Sequence, residues 1–177
     1  RVIAFVRQAC RSLAEAHDRG IVHRDIKPAN VFVTRLGSEY DYVKLLDFGI
    51  AKLMSGSTGS HKTRTGVPMG TPYYMSPEQC QGEKIDHRAD VFSLGVVAFQ
   101  LLSGQLLFQS DSFMQLMFSH VSQPPPRVSQ MCPEVPSALD APLFEEAERL
   151  EAMFLATLTR RPTDAERELF TKHVGSR

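Results

Sequence analysis

A mainly α-helical domain with one small β-hairpin is what the sequence predicts, and three observations carry that reading. Apolar residues recur at three- and four-residue steps over much of the chain, which is the period of a helix packed on one side. A single pair of short β-type runs interrupts them. The stretch from Val91 to Leu102 is apolar nearly all round, as the central buried helix of such a domain has to be. An apolar fraction of 42% with 23% charged residues over 177 residues is enough for one compact unit with a real core.

Taken in order, residues 2–17 place Ile3, Val6, Cys10, Leu13 and His17 along one face, predicting a helix that stops near Gly20. Val31 to Val33 and Val43 to Leu46 read as the two hairpin strands, joined by a polar, turn-rich segment from Thr34 to Asp41. From Met54 to Gly70 the residues are Ser, Gly, Thr and Lys with no hydrophobic period, the pattern of a long functional loop. A helix from about Asp86 to Ser103 is closed by Gly104, and a shorter amphipathic one runs from about Ser112 to Val121. On that shorter helix His120 is a lone histidine, expected at the surface. Pro124 to Pro126 form a semi-rigid spacer, and residues 143–158 and 164–174 read as two more helices, broken at Pro162 and Thr163. No internal repeat is visible.

Charge and cysteine usage exclude several classes of function. Twenty basic side chains balance twenty acidic ones, so the chain lacks the electrostatic footprint of a nucleic-acid or anionic-membrane binder. Cys10, Cys80 and Cys132 are far apart and odd in number, which argues against a disulfide framework or a zinc site and for a reducing, cytoplasmic setting. Ser93, Gly95 and Gln100 interrupt the most apolar stretch, which falls short of the roughly 20 residues a membrane span needs. No membrane segment is expected within this chain. It opens on Arg1 inside an amphipathic pattern, so a fragment is expected.

The chemistry is concentrated in His23-Arg-Asp-Ile-Lys-Pro-Ala-Asn30 and Asp47-Phe-Gly49. The first has the form H-R-D-x-x-x-x-N and the second is the D-F-G tripeptide, both signatures of protein kinases. Gly70-Thr-Pro-Tyr-Tyr-Met-Ser-Pro-Glu78 and Asp90-Val-Phe-Ser-Leu-Gly95 follow in the same order. Over about residues 1–140 the chain therefore resembles the bacterial branch of eukaryotic-like Ser/Thr protein kinases. The resemblance implies a kinase-like C-terminal lobe with the N-terminal lobe absent; residues 141–177 lie beyond it and read as a helical tail, either divergent or joined from an unrelated protein or reading frame.

Phosphoryl transfer asks for charge placement more than covalent chemistry. Asp25 would accept or orient the proton of the substrate hydroxyl, and Lys27 would lie against the transferring phosphoryl oxygens, where negative charge accumulates. Asn30 and Asp47 are hard oxygen ligands of the kind Mg²⁺ takes, and the hairpin between them folds the chain back so that they become neighbours. By resemblance, Phe32 is the floor of the adenine site, where the family usually has a smaller aliphatic residue. Thr71 bridges Asp25 and Lys27, and Lys27 with Thr71 marks the Ser/Thr type. His23 and Phe48 are packing elements. Asp90 anchors the catalytic-loop backbone, and Glu78 pairs with a late arginine, Arg160 or Arg161.

ATP and Mg²⁺ are the implied cofactors, and a protein bearing Ser or Thr is the implied substrate. A kinase homodimer for trans-autophosphorylation is the implied partner arrangement. Thr63 and Thr65 are the implied phosphate acceptors of the polar loop, read by Arg24. The Gly-rich loop, the strand Lys with its helix Glu, and the hinge of the nucleotide site are not among the 177 residues, so the chain by itself is expected to be inactive. A non-catalytic kinase-like binding module and a small-molecule phosphotransferase are the alternatives. Retention of Asp25, Asn30 and Asp47 favours the enzyme over the first, and the Ser-Pro-Glu segment favours it over the second.

Overall fold

The computed structural model describes residues 1–48 and 72–135. Helix α1, Val2–His17, comes first and turns its Val6, Ala9 and Leu13 inward. Of the expected stripe, Val6, Cys10, Leu13 and His17 pack inward, whereas Ile3 is 45% exposed and Ala9 joins the buried side. The reason is that α1 packs on both the hairpin and the central helix, and a small side chain lets both approach. A turn through Gly20, at φ 71°, ends the helix.

After a 3₁₀ turn at Pro28–Asn30, strand β1 spans Val31–Leu36 and pairs antiparallel with β2, Glu39–Leu45. The register sets Val31 against Leu45, Val33 against Val43 and Thr34 against Tyr42, then shifts so that Leu36 faces Glu39. Both strands are longer than the apolar runs alone predicted, because cross-strand hydrogen bonding continues through the polar residues up to the turn at Gly37. The register shift coincides with Asp41 at φ 61°, a left-handed conformation that Arg1 holds by gripping the carboxylate through two bonds, at 3.0 and 2.7 Å. Gln8 of α1 fastens the same place, donating to the Asp41 carbonyl at 2.9 Å and accepting from the Val43 N–H at 3.0 Å.

Past a second 3₁₀ turn at Pro72–Tyr74 comes the short helix α2, Pro77–Gln81, and then α3, Arg88–Ser103. Helix α3 is buried along most of its length, with Val96 and Phe99 wholly inaccessible, and stops at Gly104 in the left-handed conformation at φ 72°. Its bounds agree with the sequence reading to within two residues. Helix α4, Phe113–Ser122, begins at Ser112, whose hydroxyl accepts from the Gln115 N–H at 3.5 Å, and a short α5, Val128–Met131, follows. The core gathers α1, α3, α5 and the inner face of the hairpin, with Ile26 of the loop after α1 fully buried among them.

His120 corrects the sequence reading. It is 4% exposed, set between the rings of Phe108, 5.2 Å away and perpendicular, and Phe92, 6.0 Å away. The side of α4 that carries Leu116, Ser119 and His120 packs on α2 and on the Pro72–Tyr74 turn, whereas Met114 and Phe118 face outward. Residue polarity alone points the other way. The loop of residues 54–70, the helices expected over residues 143–158 and 164–174, and Glu78's expected arginine partners lie outside the described residues.

All three cysteines are free. Burial pushes the Cys10 thiol up to about 12, and burial followed by the charge of Glu78 pushes Cys80 up to about 11, so neither is a reactive thiolate. Among the described residues, no helix is long and apolar enough to cross a membrane.

Candidate active site

The site forms where the chain leaves α1, turns through residues 21–30 and enters β1. Asp90, 1% exposed near the start of α3, sets this loop from beneath. One carboxylate oxygen accepts from the His23 backbone N–H at 2.7 Å and meets His17 Nε2 at 2.8 Å; the other accepts from the Arg24 N–H at 2.7 Å. A buried carboxylate bound this way is costly to displace, and so is the backbone it holds. Arg24 sits at φ 65°, a strained conformation for a residue with a side chain, which the two flanking contacts of its backbone impose.

Beyond this anchor the polar groups converge. Lys27 Nζ meets Asp25 Oδ2 at 2.9 Å, with both side chains partly open to solvent. Asn30 Nδ2 donates to the Asp25 carbonyl at 2.8 Å and to Asp25 Oδ2 at 3.2 Å. That double donation fixes the orientation of the amide. The structure thus brings Asp25, Lys27 and Asn30 into one hydrogen-bonded group.

Asp47 is joined to this group through its neighbours. The Leu46 N–H donates to the Asn30 carbonyl at 2.9 Å, the Leu46 carbonyl meets His23 Nε2 at 2.9 Å, and the Phe48 ring lies 4.6 Å from the His23 ring. Asp47 therefore stands between two fastened residues, exposed and at φ 55°. His23, wholly buried, and Phe48 pack as the sequence reading expected. Phe32 lies on β1 opposite Lys44 and is 53% exposed. Thr63, Thr65 and Thr71 lie outside the described residues.

Mg²⁺ suits the donor set. Among the described residues no three His, Cys, Asp or Glu side chains cluster as a metal cage. One carboxylate and one amide oxygen from two fastened segments are what Mg²⁺ uses when substrate phosphates and water complete its shell.

Sequence reasoning missed Gln79. Its Nε2 donates to the Arg24 carbonyl at 2.9 Å, while its Oε1 accepts from the Ser76 N–H at 3.0 Å and the Ser76 hydroxyl at 3.3 Å. The signal was present as Ser76-Pro-Glu-Gln79, a helix-start capping pattern, although nothing in that pattern reveals the bond to Arg24. Ser93 Oγ, donating to the Tyr74 carbonyl at 2.7 Å, likewise joins α3 to the turn before α2.

The protein kinase domain model matches residues 1–167, and the chain belongs to that family. Its relatives are bacterial Ser/Thr protein kinases. It is 41% identical over 165 residues to serine/threonine-protein kinase pkn3 of Myxococcus xanthus, covering 93% of this chain and 28% of that protein. Over 141 residues it is 40% identical to PknB of Mycolicibacterium smegmatis, covering 80% of this chain and 22% of that protein. The chain thus spans about a quarter of the length of these curated relatives. Among solved structures, a mutant of the Mycobacterium tuberculosis PknI kinase domain superposes with a TM-score of 0.56 at 27% identity, covering 88% of this chain and 53% of that one.

Proposed function

We propose that this chain supplies the catalytic and metal-holding half of a Ser/Thr protein kinase, which transfers the γ-phosphate of ATP to protein hydroxyls. What carries the reading is the convergence of Lys27 and Asn30 on Asp25, on a loop fastened to Asp90. The Asp25 carboxylate is the acceptor for the substrate hydroxyl proton, and Asn30 and Lys27 orient it through Oδ2. Lys27, resting on Asp25, shields the charge of the transferring phosphoryl group. Asn30 and Asp47 hold Mg²⁺, which when bound neutralises the ATP phosphates. Phe32 presents an exposed ring as one face of the adenine site. Thr71 joins Asp25 to Lys27, and Thr63 and Thr65 accept regulatory phosphate between two copies of the kinase, read by Arg24.

The test uses the protein expressed from its complete reading frame, with Asp25→Asn and Asp47→Asn variants. Both abolish transfer to a Ser/Thr protein substrate, but by different routes. Calorimetric titration with Mg-ATP shows affinity nearly intact for Asp25→Asn and weakened for Asp47→Asn, since only the latter removes a metal ligand. The 177-residue chain alone, assayed beside them, gives no turnover. Equal loss of affinity in both variants, or robust turnover by the isolated chain that Asp25→Asn abolishes, overturns the assignment.

A further inference from the structure

We propose that Gln79 is a positioning residue for phosphoryl transfer, a clamp from α2 that sets the peptide plane between Arg24 and Asp25 and so aims the Asp25 carboxylate. The proposal rests on the phosphotransfer reading above and extends it to a residue outside the catalytic loop.

The argument starts from the strain at Arg24. A residue with a Cβ at φ 65° sits in an unfavourable left-handed well, so the surroundings must hold it there. Asp90 holds its N–H at 2.7 Å. The Gln79 amide holds its carbonyl at 2.9 Å. Because a peptide unit is rigid and planar, the Arg24 carbonyl and the Asp25 N–H turn together. Among the described residues the Asp25 N–H makes only a long contact, 3.4 Å to His23 Nδ1, so the orientation of this plane falls to Gln79.

Gln79 is itself fixed. Its Oε1 accepts from both the backbone and the hydroxyl of Ser76, a residue with no exposed surface, leaving Nε2 only one way to point. Gln79, Arg24, Asp25, Lys27, Tyr74 and Met75 line one concavity. The clamp therefore also fixes the spacing between the base and the Tyr74–Met75 wall of that concavity.

The chemistry demands glutamine. Glutamate keeps the acceptor for Ser76 but turns a carboxylate oxygen toward the Arg24 carbonyl, where two acceptors oppose each other. Methionine keeps the shape and loses both bonds. Asparagine is one methylene too short to span Ser76 and Arg24.

Gln79→Met and Gln79→Glu, made in the protein expressed from its complete reading frame, test this. Steady-state rates, thermal unfolding and backbone hydrogen exchange across residues 23–27 are measured together. The expected result is a kcat about tenfold lower in Gln79→Met and lower again in Gln79→Glu, with KM for ATP within about twofold of the parent. Residues 23–27 exchange faster in both variants under conditions where the protein is fully folded. A kcat within about twofold of the parent, or a loss that merely tracks the unfolded fraction, overturns the proposal. If the parent itself transfers no phosphate, the phosphotransfer reading fails, and unchanged exchange at residues 23–27 then separately rejects the clamp.

Discussion

Replacing Asp90 by Ala removes the acceptor for two buried backbone N–H groups and for His17 at once. Each N–H, bonded at 2.7 Å to a carboxylate oxygen with 1% exposure nearby, becomes an unsatisfied buried donor. Such a donor costs about 1–3 kcal/mol, so the pair costs about 4 kcal/mol, with His17 adding less because water reaches it more easily. Against a typical domain stability of about 5–15 kcal/mol, this is a large fraction. For a domain of this size it lowers Tm by roughly 8–16 °C. Asp90→Asn keeps one carbonyl oxygen and turns an amide N–H₂ toward the other donor, so about half the loss is expected. Urea and thermal unfolding of the chain, followed by circular dichroism, give both numbers. A cost below about 1 kcal/mol for Asp90→Ala, or an Asn variant as stable as the parent, would refute the view that this one carboxylate carries the loop.

Two further outcomes are expected. Burial pushes His120 down to about 4, only partly offset by the Tyr73 backbone, and among the described residues no group makes a well-formed hydrogen bond to its ring nitrogens. The folded state therefore keeps the ring neutral while the unfolded chain takes up a proton near the ordinary value of about 6.5. Stability is fully present above about pH 6.5 and falls as pH drops toward 4, by about 2 kcal/mol after allowing for water reaching a charged ring. Urea midpoints between pH 7 and 4.5 should fall less steeply in His120→Phe than in the parent, and identical slopes count against it. The second outcome concerns Thr63 and Thr65. Replacing both by Ala in the protein from its complete reading frame lowers the initial rate relative to a parent preincubated in Mg-ATP. Phosphate mapped by mass spectrometry only outside residues 53–71 would reject that role.

How much of this was legible in the sequence depends on whether a feature is local. The bounds of α3 followed from an apolar run ending at Gly104, because helix period and a left-handed cap are properties of neighbouring residues. The grouping of Asp25, Lys27 and Asn30 was legible too, since all three share one loop and their spacing is fixed by the motif. His120 was misread because its burial depends on α2 and the Pro72–Tyr74 turn, elements whose packing no helical period encodes. Gln79 and Gln8 were invisible for the same reason: each is an unremarkable polar residue on a helix until the residues it bridges arrive from elsewhere in the chain. The hairpin was under-read where Tyr40 and Tyr42 alternate with acidic residues, because a strand exposed on one face looks like a loop by composition alone.

Gln8 has one more effect, on what the hairpin can do in company. A two-stranded sheet has two outer rims, each a row of backbone groups that can recruit a further strand from another molecule. By answering the Asp41 carbonyl and the Val43 N–H with a side-chain amide, α1 occupies the β2 rim as an additional strand would, without offering a new rim beyond itself. Templated stacking on that side is therefore blocked at its midpoint.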